Sequence, residues 1–128
     1  MVEQLEKNLD LLGTLHYVMG AVTALLACIP IIHFTIGIMM LSPGFGGGDP
    51  APRVIAILFI VLSAIIILTG WIFAILIILT GRRLKERRAY NFCLIISFLE
   101  CLIMPLGTVL GIFTIITLTK EPVKELFN

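Results

Sequence analysis

The sequence predicts an all-α membrane protein with three transmembrane helices and short amphipathic ends. Three observations carry that expectation. Composition comes first: 59% of the 128 residues are hydrophobic and 13% are charged. With a mean hydropathy of +1.13, too little polar surface remains to cover a soluble domain of this size. The second is the length of three apolar runs, about 11–41, 54–80 and 92–118, each beyond the roughly 20 residues needed to cross the hydrocarbon core. The third is what lies between them, connections and tails of about a dozen residues, too short to bury a core of their own. A single integral membrane domain over residues 1–128 is therefore expected.

The first run is flanked by Glu3, Glu6 and Asp10 rather than by basic residues, and it is too long for the core of a cleaved signal peptide. Val2, Leu5, Leu9 and Leu12 ahead of it follow helical spacing and predict an interfacial turn leading into the span. Pro30 removes a helical hydrogen bond, so a kink is expected near Ala27. Gly13, Gly20, Ala24 and Ala27 recur on one side, a surface on which another helix can approach closely. The connection 42–53 mixes glycines with prolines and predicts irregular chain. It is not a phosphate loop, because no GxxxxGK[ST] pattern occurs and no strand precedes it. In the second run Ala56, Ser63, Gly70 and Ala74 form a small-residue stripe. Trp71 lies inside the run and reads as a packing residue, whereas Tyr90 is placed for the interface.

In the third run Cys93, Ser97, Glu100, Met104, Gly107, Gly111 and Thr114 align at spacings of 4, 3, 4, 3, 4 and 3, one face of a helix. Gly107 and Gly111 make a GxxxG pair. The Pro105-Leu-Gly107 stretch interrupts the run. A continuous helix kinked at Pro105 is the expectation, since re-entrant backbone requires burial in protein; a re-entrant hairpin is the alternative. Beyond it, Val123, Leu126 and Phe127 predict a short amphipathic helix lying on the membrane surface.

Charge sets the topology. Arg82, Arg83, Lys85, Arg87 and Arg88 crowd the connection 81–91, while the connection 42–53 holds only Arg53. The positive-inside rule then puts the amino terminus and residues 81–91 in the cytoplasm and 42–53 outside. Three crossings would leave Lys120 and Lys124 outside, a conflict that the hairpin removes. The five basic residues of 81–91 are expected to meet anionic lipid headgroups or a cytoplasmic partner. A net charge of +1 gives no bulk attraction for nucleic acid.

Glu100 is the chemical outlier. It lies about 12 Å along a helix from the start of its run, near mid-bilayer, where an isolated charge costs several kcal/mol. It must be held as the neutral acid, hydrogen-bonded to His33, Thr35, Ser63 or a neighbouring subunit, or placed on a hydrated path. His33 is the expected partner, with His16 placed nearer the cytoplasmic edge. The intramembrane polar candidates are thus Glu100, His33, Ser97 and Ser63, and the helix-packing candidates Gly107, Gly111, Gly70 and Gly20. Cys28, Cys93 and Cys101 all lie in apolar runs without a CxxC spacing and read as buried thiols. No metal-ligand spacing and no nucleophile–base pair is visible, so no catalytic residue, metal or cofactor is expected.

Two stretches carry a family resemblance: Gly81-Arg-Arg-Leu-Lys-Glu-Arg-Arg-Ala-Tyr-Asn-Phe-Cys-Leu94 and Leu99-Glu-Cys-Leu-Ile-Met-Pro-Leu-Gly-Thr-Val-Leu-Gly-Ile-Phe-Thr114. With Leu15-His-Tyr-Val18, Ile29-Pro-Ile-Ile-His33, Gly70-Trp71 and Val123-Lys-Glu-Leu-Phe127, they resemble a group of small bacterial multi-span membrane proteins to which no activity is assigned. The resemblance implies a bacterial origin and a multi-span membrane fold, and the expected location is the bacterial inner membrane. The functional expectation is a non-enzymatic, self-associating or accessory subunit of a membrane complex, in contact with lipid. The alternative is a homo-oligomeric channel or proton/cation conduit using Glu100.

Overall fold

The computed structural model describes residues 1–44 and 49–127; Phe45 and the three glycines 46–48 of the first connection lie outside the described residues. Every regular element among the described residues is helical: α1 Val2–Leu26, α2 Ile31–Met40, α3 Pro50–Glu86, α4 Tyr90–Glu100, α5 Leu106–Leu118 and α6 Glu121–Leu126. Two stretches, Val2–Met40 and Pro50–Glu86, are long and apolar enough to cross a bilayer.

Pro30 breaks the first stretch as expected. Because it has no N–H to donate, the chain tightens ahead of it: the N–H groups of Cys28 and Ile29 turn to the carbonyls of Leu25 and Leu26, and α2 starts one residue beyond the proline.

The connection predicted over 81–91 is much shorter than its charge implied. α3 continues to Glu86 over 37 residues, about 55 Å. Arg82, Arg83 and Lys85 are therefore helical, and only residues 87–89 remain as the turn. Nothing stops the helix at Gly81, which packs tightly on α1: a Cβ placed there would lie 2.7 Å from the Gly13 carbonyl oxygen. Downstream, Leu84 is fully buried and Arg82 pairs with Glu86 at 2.8 Å. The helix ends where Arg87 takes a φ of 55°. The Arg88 N–H then reaches the Arg83 carbonyl and the Arg87 N–H the Leu84 carbonyl, a Schellman closure formed without glycine.

The largest departure is at 92–118, which is not one kinked helix. α4 and α5 are separated by Cys101–Pro105 and pack against each other antiparallel, with Gly107 against Glu100 and Gly111 against Ser97. A Cβ at Gly107 would stand 2.5 Å from the Glu100 carbonyl oxygen, and one at Gly111 2.5 Å from that of Ser97. Only glycine permits this approach. Two helix-end carbonyls find side-chain donors: Thr108 Oγ1 donates to the Cys101 carbonyl at 2.7 Å and Tyr90 Oη to the Leu118 carbonyl at 3.1 Å, which answers the open-carbonyl problem of helix termini. The seven-residue stripe of the sequence is thus folded in two. Its halves face each other, and Met104, at the fold, is 82% exposed.

The chain divides into two compact units, Thr23–Ile72 and the remainder. In the larger unit, Leu9, Leu12, Leu84, Cys93, Leu118 and Val123 form one buried cluster, flanked by Leu5, Leu126 and Phe127. Both amphipathic segments that read as surface-lying are therefore docked on protein, with their apolar stripes packed into this shared cluster. In Thr23–Ile72, α2 lies along α3, with Gly37 over Ala56 and Gly70 over Ala27.

Candidate functional site

Glu100 is the last residue of α4 and is completely buried. Its partner is His16 of α1, not His33: His16 Nε2 and Glu100 Oε2 are 2.9 Å apart, with both side chains 0% exposed. His33 is exposed and stacks on Phe59 at 6.0 Å between ring centroids. Helical spacing explains why His16 is available. It sits between Gly13 and Gly20 at intervals of 3 and 4, on the small-residue stripe with which α1 meets α3. That relation was present in the sequence. What hid it was depth: His16 reads as lying near the membrane edge when the run is counted from Leu11, whereas α1 is continuous from Val2.

The hydrogen-bond partners constrain the proton. His16 Nδ1 lies 2.8 Å from the Leu12 carbonyl oxygen. A carbonyl only accepts, so Nδ1 carries a hydrogen. Nε2 is then either the bare nitrogen of a neutral ring, facing a carboxylic acid, or the second N–H of a cation, facing a carboxylate. In either arrangement the pair carries no net charge, the condition under which its burial in an apolar setting is tolerable. The separation is of hydrogen-bond length, but the two groups are not aligned for a straight hydrogen bond.

Around the pair, Ser97 Oγ and Glu100 Oε1 are buried with no hydrogen-bond partner among the described residues. Ser97 is one turn before Glu100, and Gly111 presses on its backbone. The buried hydroxyls of Thr80, Thr114 and Thr117 turn back on their own helices, donating to the carbonyls of Leu76, Leu110 and Phe113. Ser63 is 4% exposed, in the other unit with His33. The packing glycines all have work within the chain. Gly107 and Gly111 close the hairpin, Gly20 meets Ala74 and Ile78, and Gly70 meets Ala27.

At the basic end Arg87 pairs with Glu6 at 3.2 Å, and Lys85 Nζ lies 5.2 Å from the centre of the Tyr17 ring, within cation–π range. Arg82, Arg83 and Arg88 are exposed. The Arg82 guanidinium, hydrogen-bonded to Glu86, holds that carboxyl below the usual carboxylate range. The three cysteines are free thiols; Cys93 is buried, and Cys28 and Cys101 are half-buried. Among the described residues no group of three or more His, Cys, Asp or Glu is placed to hold a metal ion. Comparison with protein families, with curated proteins and with solved structures finds no match to this chain.

Proposed function

We propose that this is a non-enzymatic integral protein of the bacterial inner membrane that acts as a self-associating or accessory subunit of a membrane complex. α1–α2 and α3 would cross the bilayer. α4–α5 would enter as a re-entrant hairpin from the basic end. Membrane residence is supported by how little of the long helices is covered: their most apolar windows are only 17% and 11% buried, unlike the core helices of a soluble fold. With two crossings and a hairpin, Lys120 and Lys124 join the basic residues of 82–88 on one face. The positive-inside rule puts that face in the cytoplasm.

The observation that carries assembly is the tip of the hairpin. α4 and α5 have 11 and 13 residues, about 16 and 20 Å, so their junction reaches roughly the middle of a 30 Å hydrocarbon core. There Leu102 and Met104 are 76% and 82% exposed, and the Met104 N–H takes no backbone partner among the described residues. Irregular backbone at that depth needs protein or water beside it; the apolar side chains favour protein, either a second copy or a partner helix. The test places one cysteine, Met104→Cys, in a chain whose three native cysteines are replaced by serine. Oxidation in native membranes should yield a cross-linked species, and a membrane-impermeant maleimide should label the site slowly. Rapid labelling of a monomer would defeat the reading.

A second reading, a proton or cation conduit, is favoured by the unpartnered Ser97 Oγ and Glu100 Oε1 beside the His16 pair. It requires Glu100→Gln to abolish pH-dependent flux in liposomes while leaving assembly intact. Under the assembly reading the same change leaves any flux untouched.

A further inference from the structure

We infer that the groove between α1 and α5 is a binding site for one acyl chain of an anionic glycerophospholipid, with the headgroup at the basic end of the protein. The inference rests on the membrane reading above and adds a ligand and a place. The groove has a volume of ≈ 490 Å³. Its floor is Leu12, Met19 and Leu110, its walls the exposed faces of α1 and α5 from Leu11 to Val22 and from Leu106 to Phe113. Every lining side chain is apolar.

Length and charge select the occupant. Leu11 to Val22 spans about 16 Å along a helix, close to the thickness of one leaflet, half of a roughly 30 Å core. The groove therefore starts where a headgroup would sit and ends level with the hairpin tip, as one acyl chain does. At its outer end Lys7 lies one turn before Leu11, and Lys120 about two turns beyond Phe113. Lys7 is 72% exposed and pairs with Glu3, itself 80% exposed, a pair weak enough to yield to a phosphate. The lined length is that of one leaflet, half of what a helix crossing the whole core would cover, which favours an acyl chain as the occupant.

The test uses the full chain reconstituted in phosphatidylcholine vesicles containing photoreactive acyl-diazirine phosphatidylglycerol, or the same probe as phosphatidylcholine. Adducts from the phosphatidylglycerol probe should concentrate on α1 and α5. Val109→Trp, which fills the groove, should remove them and leave labelling of α3 unchanged. Lys7→Ala and Lys120→Ala should each lower the preference for phosphatidylglycerol about five-fold. Even labelling of all helices, equal labelling by both probes, or α1–α5 adducts that persist in Val109→Trp would overturn the site while leaving the membrane reading standing. A chain released from vesicles by alkaline carbonate would overturn both.

Discussion

The two units of this chain bury different things. In Thr23–Ile72 the buried residues among those described are Thr23, Ala27, Gly37, Ala56 and Ser63, all small. In the other unit Leu9, Ile77, Leu84, Leu118, His16 and Glu100 are buried outright. The first is a pair of helices touching through small residues, the contact expected where lipid competes on equal terms with side chains for apolar surface. The second has an interior with large side chains and the close His16–Glu100 pair. A hairpin of two short helices, 11 and 13 residues long, needs that interior, because helices of that length are marginal without tertiary packing.

Substitutions should break this contrast in a definite order. Gly111→Leu comes first: it drives a side chain into the Ser97 carbonyl and Cys101 Sγ, which a Cβ alone would approach to 2.5 and 2.6 Å. It should cost about 3 kcal/mol or more, read as loss of the thermal transition by circular dichroism in detergent. His16→Leu leaves Glu100 buried without its partner and should cost about 3 kcal/mol; the check is a lower midpoint on titration with a denaturing detergent. Glu100→Gln is gentler, about 1–2 kcal/mol, because an amide N–H can still face a neutral imidazole. A Glu100→Gln chain as unstable as His16→Leu would show that the pair is held as an ion pair.

The next comparison is a single methyl in each unit. Gly107→Ala meets backbone at 2.5 Å, whereas Gly70→Ala meets the Ala27 methyl at 2.6 Å. Helices joined only by small residues can separate slightly, so Gly70→Ala should cost about 1 kcal/mol and Gly107→Ala about twice that, measured by the same titration. Equal costs would mean that Thr23–Ile72 is as tightly constrained as the hairpin. The smallest effect is at the surface. Glu86 has its carboxyl lowered by the Arg82 hydrogen bond. Its contribution is therefore present above the ordinary carboxylate range and disappears only as pH falls through the depressed value. Removing it by Glu86→Gln should leave the midpoint at neutral pH almost unchanged.

Legibility in the sequence followed locality. The helical class, the break at Pro30 and the outlying character of Glu100 depend on neighbours within a turn or two and could be read directly. The reach of α3 through Arg82, Arg83 and Lys85 could not, because a charge cluster marks a topological end without marking a helical one. Nor could the partner of Glu100. His33 and His16 are equally plausible by residue type, and choosing between them requires knowing which helices touch and at what height.

The apolar runs, the glycines and the position of Pro105 determined, within the sequence alone, that this chain is a set of helices with an interruption in the last run. Whether that interruption bends a helix or reverses it was decided by tertiary structure. A proline removes one N–H either way; only the fit of Gly107 and Gly111 against the backbone of Glu100 and Ser97, with Thr108 and Tyr90 closing open carbonyls, makes the reversed chain the lower-energy one. The same closure carries Glu100 to His16, so one packing event settles both the fold of the last run and the fate of its charge.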